Sequence, residues 1–320
     1  MQAVVFAGAG GNEVVRLEER PDPVPGPEDV IVRVRYAGLN PADALQRAGH
    51  YPAPPGSPPD VPGLEVAGAV EAFGERVTAW RLGDRVFGLI GGGGLADRVL
   101  VHERCVARVP DSLSEEEASA APEAFITAHD AVCTQAGLRM GETLLVHGAA
   151  GGVGSAAVQI GLALGARVVA TVRSDAAREA VEALGAEVVW DDGFAEAVSG
   201  AANVILELVG APHFPGNLDA LAPKGRIVVV GVGAGQEIAL PLRVLMGKRA
   251  SIRGTVLRAR PLEEKAAAVR AFEREVVPHL ASGRVHALVD SVYPAAEFAT
   301  AFDRLAGRGK VGKVLLEFTA

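Results

Sequence analysis

Glu142-Thr-Leu-Leu-Val-His-Gly-Ala-Ala-Gly-Gly-Val-Gly154 opens a stretch that continues as an Ala-rich run from Ser155 to Gly165. Glu142 to Val146 is short, apolar and β-branched at its end, as a strand buried on both faces would be. The glycine-rich turn follows at once, and Ser155 to Gly165 reads as a helix closed by glycine. Strand, glycine-rich turn and helix together predict a nucleotide-binding βα unit. Gly151 and Gly152 carry no Cβ, so the backbone there can lie against a pyrophosphate, flanked by Ala150 and Val153. Gly154 is expected to let the helix pack tightly on its strand. The helix N-terminus then offers unpaired N–H groups to the anion. Thr143 to Ala166 carries no formally charged residue, and a hydropathy scan would flag it as a membrane span. The glycine cluster in its middle argues against that. A tight βα turn that binds nothing is the other competing reading.

At 320 residues the chain suits two domains, and 49% hydrophobic with 22% charged residues is ordinary for a globular protein. A net charge of −8, with no basic stripe, argues against nucleic-acid binding. Cys105 and Cys133 are the two cysteines and form no CxxC pair, so neither a disulfide framework nor a cysteine-based zinc site is expected. Met1-Gln-Ala-Val-Val-Phe6 lacks the basic start and long apolar core of a secretory signal. A cytoplasmic protein with no membrane partner is expected.

Before residue 113 the chain is a series of short strands separated by Gly/Pro turns: Gln2 to Phe6, Val14 to Leu17, Asp29 to Tyr36, Val66 to Val70, Arg85 to Leu89 and Arg98 to Val101. Such texture predicts a small β-rich, barrel-like domain. Ser114-Glu-Glu-Glu117 has capping-box spacing, and a helical region interrupted by Pro122 runs towards Ala136. From Glu142 strands and helices alternate: strands at Arg167 to Val172, Glu187 to Trp190, Asn203 to Leu208, Gly225 to Gly231 and Ser251 to Thr255 complete six. That pattern predicts a doubly wound parallel α/β sheet. A long helix from Pro261 to Ala281, a strand at Val289 to Tyr293, a last helix and a strand at Val314 to Glu317 follow. The terminal strand lies outside the alternating pattern, and a return to the first domain is one place for it.

Cofactor preference is read at the end of the second α/β strand. An NAD site usually places Asp or Glu there for the ribose 2′-hydroxyl. Here the chain reads Thr171-Val-Arg-Ser174, with no acid until Asp175. Arg173 and Ser174 suit a 2′-phosphate instead, which predicts NADPH. A solvated surface charge is the competing reading of Arg173.

Three motifs, Ala149-Ala-Gly-Gly-Val-Gly154, Pro223-Lys-Gly-Arg-Ile-Val-Val-Val-Gly231 and Gly38-Leu-Asn-Pro-Ala-Asp43, together resemble the medium-chain dehydrogenase/reductase superfamily, in its zinc-independent quinone oxidoreductase branch. Gln46-Arg-Ala-Gly-His-Tyr-Pro-Ala-Pro-Pro-Gly56, Pro122-Glu-Ala-Phe-Ile-Thr-Ala128 and Leu257-Arg-Ala-Arg260 are similar to its tumour-suppressor-inducible quinone reductase subgroup. The resemblance covers almost the full length. It implies a GroES-like β-rich catalytic domain (1–120, completed by 257–320) and a Rossmann domain (121–256).

Zinc-dependent relatives carry Cys where Asn40 stands and Gly-His-Glu where Gly63-Leu-Glu65 stands. Glu65 alone cannot hold zinc, so no metal is expected. Without a Lewis acid an alcohol is poorly activated. Quinones and enones remain as small-molecule substrates, reduced by direct hydride transfer from NADPH. An enoyl or enone reductase, and a non-catalytic NADPH-binding structural or redox-sensing protein, are the alternatives.

The resemblance also implies that Tyr51 donates to the substrate carbonyl, that Asn40 orients it and that Thr127 lines the nicotinamide pocket. It further implies cofactor contacts at Gly231, Val232, Leu257 and Lys313, and a homodimer through the edge strand Ser251 to Thr255. Packing in the proline-rich loop competes for Tyr51, holding the turn before Pro41 for Asn40, and capping a helix from Ala128 for Thr127. Asp43 is expected to cap the short helix after Pro41. The subgroup's usual Lys corresponds to Ala177 here, which leaves Arg173 as its substitute. His102, His129, His213, His279 and His286 share no ligand spacing and are expected on the surface or in turns.

Overall fold

The structure is a computed structural model that describes residues 1–318. The chain divides into two compact units, 1–126 with 257–320, and 127–256. In chain order the strands of the first unit are β1 (Gln2–Phe6), β2 (Val15–Glu19), β3 (Asp29–Val34), β4 (Tyr36–Leu39), β5 (Glu65–Phe73), β6 (Arg85–Leu89), β7 (Arg98–His102) and β8 (Val106–Arg108). The second unit contributes β9 (Thr143–Val146), β10 (Arg167–Val172), β11 (Glu187–Trp190), β12 (Ala202–Glu207), β13 (Leu221–Val229) and β14 (Ser251–Gly254). The chain then returns to the first unit with β15 (Val289–Pro294) and β16 (Lys313–Glu317).

The first unit holds an antiparallel sheet in the order β7-β3-β5-β6-β8 and a three-stranded sheet, β15-β16-β4. The last strand therefore does return: Val314 pairs with Leu39 and Glu317 with Tyr36. This partner corrects one expectation. Asp29 to Tyr36 is not one strand, because β3 pairs with β5 and β7 while β4 turns away to pair with β16. The inward alternation of Val30, Val32 and Val34 packs against Val66, Val70, Leu316 and Phe302 in one core. Each such side chain contributes about 1.5–3 kcal/mol through burial.

The long helix expected from Pro261 to Ala281 is also two, Leu262–Glu275 and Val277–Ala281. Pro278 lacks the N–H that would continue the ladder, and its ring disfavours helical backbone just before it. β8 and the helix Leu242–Lys248 have no counterpart in the expected elements.

The second unit is the doubly wound sheet. Its six strands are parallel and run in the order β11-β10-β9-β12-β13-β14. The order reverses between β9 and β12, the topological switch point beside which ligands bind in open α/β sheets. Leu145, Val169, Ile205 and Ile227 from four adjacent strands are buried in its core. No helix among the described residues is long and apolar enough to cross a membrane.

Candidate functional site

At the switch point the chain leaves β9, turns at Gly148 and enters the helix Gly152–Ala163. Gly148 has φ +60°, a conformation that favours glycine, and its carbonyl accepts from Gly151 N–H at 3.1 Å. Gly154 is forced by close approach: a Cβ there would stand 2.3 Å from Gly148 O and 2.7 Å from Ala149 Cα. The turn backbone, rather than the strand, is what Gly154 packs against. Helix-to-strand contact belongs to Gly161, where a Cβ would meet Leu144 and Val168 side chains at 2.8 and 2.9 Å. By general helix geometry the first-turn N–H groups lack intrahelical partners and point at the turn.

Four of the other expected nucleotide contacts, Arg173, Ser174, Gly231 and Val232, follow the carboxyl ends of strands in the same sheet. Arg173 follows β10, is exposed, and has no partner among the described residues. Ser174 caps the helix Asp175–Ala183, its hydroxyl accepting from Ala177 N–H at 3.3 Å. Gly231 follows β13, and a Cβ there would stand 2.4 Å from Leu208 O, while Val232 is exposed. Thr127 is buried within the helix Pro122–His129 and so does not precede a helix as a cap would.

Beneath this edge lies a buried cluster that the sequence reading missed. His147 Nε2 meets Asn217 Oδ1 at 2.7 Å, and its Nδ1 meets the Thr171 hydroxyl at 3.1 Å. Glu207 accepts from Val209 and Gly210 N–H and from Asn217 Nδ2 at 2.6–2.8 Å. His213 stands between two carboxylates, with Nε2 3.1 Å from Asp191 and Nδ1 3.6 Å from Glu207. The longer of these is an ion pair and not a hydrogen bond.

Burial drives the His147 imidazole down to about 4. For His213 burial also lowers the value, but Asp191 and Glu207 outweigh it and raise it to about 9. His213 is therefore an interior cation and not a surface residue, although it does lie in a turn, Ala211–His213. A charged residue closing an apolar strand, as Glu207 closes Ile205-Leu206, is the signal that an interior partner exists. His147, Glu207 and His213 are also the one group of three potential metal ligands among the described residues. Both His147 nitrogens and both Glu207 oxygens already have protein partners, so the arrangement is an internal ion-pair network. It ties the base of the glycine-rich turn to β12.

In the first unit, Asn40, Glu65 and Lys313 converge from distant parts of the chain. Lys313 Nζ donates to Asn40 Oδ1 (2.5 Å) and Leu39 O (3.0 Å) and forms an ion pair with Glu65 Oε1 (2.6 Å). The ammonium expected to meet the cofactor is thus tied into the first unit. Asn40 is engaged as fully, since Nδ2 donates to Glu65 at 3.0 Å and to Gly38 O at 3.4 Å. Its side chain braces the site.

Glu65 Oε2 accepts from Glu123 N–H at 2.9 Å, at the start of the helix Pro122–His129. Asp43 accepts from Asn40 N–H at 2.8 Å, the helix-start contact expected of it, and from Gly63 N–H at 2.9 Å. Complete burial, only partly offset by those two bonds, raises it to about 6. This donor set does not fit zinc, because an ammonium already supplies the positive charge and neither Cys nor His faces it.

Tyr51 is half-buried in the loop after the helix Pro41–Arg47, and its hydroxyl has no hydrogen-bond partner among the described residues. The Arg258 guanidinium lies 5.0 Å from the centroid of its ring. Leu257, beside Arg258, is buried in a turn closed by Arg260 N–H to Leu257 O at 3.1 Å.

The chain matches the alcohol dehydrogenase GroES-like domain over residues 26–111 and the zinc-binding dehydrogenase family over residues 152–274. The quinone oxidoreductase of Lama guanicoe is 33% identical over 327 residues, 99% of this chain and 97% of that protein. Mycobacterial Rv1454c, solved in complex with NADPH, has a TM-score of 0.89 at 29% identity, covering 99% of this chain and 100% of that one. The CurK enoyl reductase has a TM-score of 0.87 at 28% identity, covering 99% of each chain. Likeness that runs the length of both chains, and not through one glycine motif, decides the family. This chain is an oxidoreductase of the medium-chain dehydrogenase/reductase superfamily, in its quinone oxidoreductase branch.

Proposed function

We propose that the protein reduces quinones or related conjugated carbonyls by direct hydride transfer from NADPH, without a metal. The observation that carries this reading is the donor set at Asn40 and Glu65, where the Lys313 ammonium meets the carboxylate. With no Lewis acid at that place, an alcohol would keep its hydroxyl proton, whereas a quinone or enone gives a delocalised, stabilised oxyanion. When bound, NADPH supplies the hydride from its nicotinamide C4. Gly151, Gly152 and the helix N-terminus hold the pyrophosphate, and Arg173 with Ser174 receives the 2′-phosphate. Tyr51 donates its unpartnered hydroxyl to the acceptor's carbonyl oxygen. Asn40 and Lys313 hold the scaffold beside it, and Thr127, Gly231, Val232 and Leu257 line the nicotinamide.

The length-spanning likeness to an enoyl reductase favours enone reduction as the second reading. A homodimer through the edge of β14 belongs to the same proposal. Leu242, Met246 and Val256, close in sequence to that strand, are apolar and well exposed. A cytoplasmic location completes it.

The test is anaerobic nicotinamide oxidation with an ortho-quinone, a para-quinone and an enone, comparing NADPH with NADH. Turnover with NADPH and a quinone is expected. Arg173→Ala should weaken NADPH about 10–100-fold and leave NADH unchanged, the loss of a charge-assisted hydrogen bond worth about 1.5–3 kcal/mol. Tight NADPH binding with no turnover on any acceptor would leave a binding protein on a reductase fold.

A further inference from the structure

Arg258 entered the sequence reading only as part of Leu257-Arg-Ala-Arg260. In the structure its side chain is buried, 4% exposed, and its donors fan out to three separate stretches of the first unit. Nε donates to Gly91 O at 2.8 Å, Nη1 to Tyr51 O at 3.0 Å and Nη2 to Gln46 Oε1 at 2.5 Å. Gln46 in turn donates through Nε2 to Pro59 O at 3.1 Å. The proline-rich loop is thus held near both ends through a single guanidinium, which also lies over the Tyr51 ring.

All three acceptors are neutral, and no carboxylate stands at ion-pair distance from Arg258 among the described residues. Burial holds this guanidinium below its ordinary value, outweighing Asp43 and Glu123, which offset part of the charge from beyond ion-pair distance. The field of a cation only partly offset acts on whatever lies beside it, and beside it lies a phenol with no hydrogen-bond partner.

We propose that Arg258 is the positioning residue for Tyr51, fixing the loop that carries the phenol and setting a positive charge against its ring. The inference rests on the reading of Tyr51 as the proton-side donor to a carbonyl substrate. The charge makes the phenol a stronger donor and favours negative charge developing on the acceptor oxygen. Two charged groups act on Tyr51: Arg258 lowers its value and Glu123 raises it, while burial, the largest cause, leaves it above the ordinary tyrosine range.

The experiment compares Arg258→Met, Arg258→Lys and Tyr51→Phe by ultraviolet titration of tyrosine and by steady-state kinetics. Only three tyrosines are present, so the Tyr51→Phe difference spectrum isolates the Tyr51 phenol. Arg258→Met should move that titration to higher pH and lower kcat about 10–100-fold, with a smaller change in KM. Arg258→Lys, which keeps the charge but not the three-way fork, should restore the titration and part of the rate.

An unmoved phenol titration in a folded Arg258→Met protein would overturn the inference, as would equal effects of Met and Lys. Unchanged turnover in Tyr51→Phe would instead sink the donor reading of Tyr51, while the titration would still decide whether Arg258 governs that phenol. Where Arg258→Met fails to fold, a titration shift in Arg258→Lys as large as removal of the charge would produce is the overturning result.

Discussion

Raising the pH should loosen the nucleotide-binding unit, and His213 is the reason. In the fold its imidazolium persists to about pH 9, whereas an unfolded histidine loses its proton near 6.5. Below 6.5 both states hold the proton and the stabilisation is fully present. Between 6.5 and 9 the unfolded chain gives up its proton while the fold keeps it, so stability falls through that window. The displacement corresponds to at most about 3 kcal/mol. His147 has the opposite sign. Held neutral down to about 4, it contributes stability above 6.5 that is lost as pH falls towards 4. Stability of this unit should therefore peak near pH 6.5.

Urea unfolding followed at Trp190, in a Trp80→Phe background, takes its signal from this unit, since Trp80 and Trp190 are the two tryptophans. With a slope of about 2 kcal/mol per molar, the midpoint should drop by about 1.5 M between pH 6.5 and 9. Lys310, lowered to about 8 by burial in the first unit, adds a slope of opposite sign above pH 8. The readout is accordingly the difference between wild type and His213→Gln, which should lose the alkaline slope altogether. Identical slopes in the two proteins would refute the ion-pair assignment.

Glu65→Gln or Lys313→Met alone should cost about 3–5 kcal/mol in thermal or urea unfolding, because each strands a buried charge. The double substitution should cost clearly less than the sum, and strict additivity would count against the pair. Gly154→Ala should weaken NADPH at least tenfold by titration, since its Cβ would press on the turn backbone. Gly161→Ala meets only side-chain ends and should cost about 1–3 kcal/mol while leaving NADPH affinity intact. The reverse pattern would show that the two close-approach roles are misassigned. Leu242→Lys with Met246→Lys should convert a dimer to monomers in sedimentation; an unchanged dimer would place the interface elsewhere.

The order of strands and helices was legible wherever local pattern and tertiary context agree. Each buried strand of the second unit is a short apolar run, and Ser114 and Glu117 make both halves of the capping box that their spacing predicts. Errors fell where a distant partner decides. Nothing within residues 29–39 says that the chain changes sheet at Arg35, because β16, nearly three hundred residues on, supplies the new edge. The glycine-rich turn was readable as a motif, yet which glycine touches the strand depends on side chains of Leu144 and Val168. The partners of Lys313, Leu39, Asn40 and Glu65, were not legible either, because all three are remote in sequence.

Charge burial supplies the last distinction, because it separates residues that hold the fold from those that act on a substrate. Among the described residues, the long cationic side chains of Arg258 and Lys313 are, like the His213 imidazolium, buried to within 5%. Lys313 has Glu65 at 2.6 Å, so its charge is cancelled where it sits and its contribution is structural. Arg258 bonds only to neutral oxygens, and a neutral side chain of similar volume would avoid the desolvation it suffers. Its three hydrogen bonds hold the loop, yet holding a loop gives no reason for a full charge there. A phenol with a free hydroxyl, its ring centroid 5.0 Å from the guanidinium, does give one, since an interior cation is strongest where new negative charge appears. On this argument Arg258→Met should cost more in turnover than in stability, and Lys313→Met more in stability than in turnover.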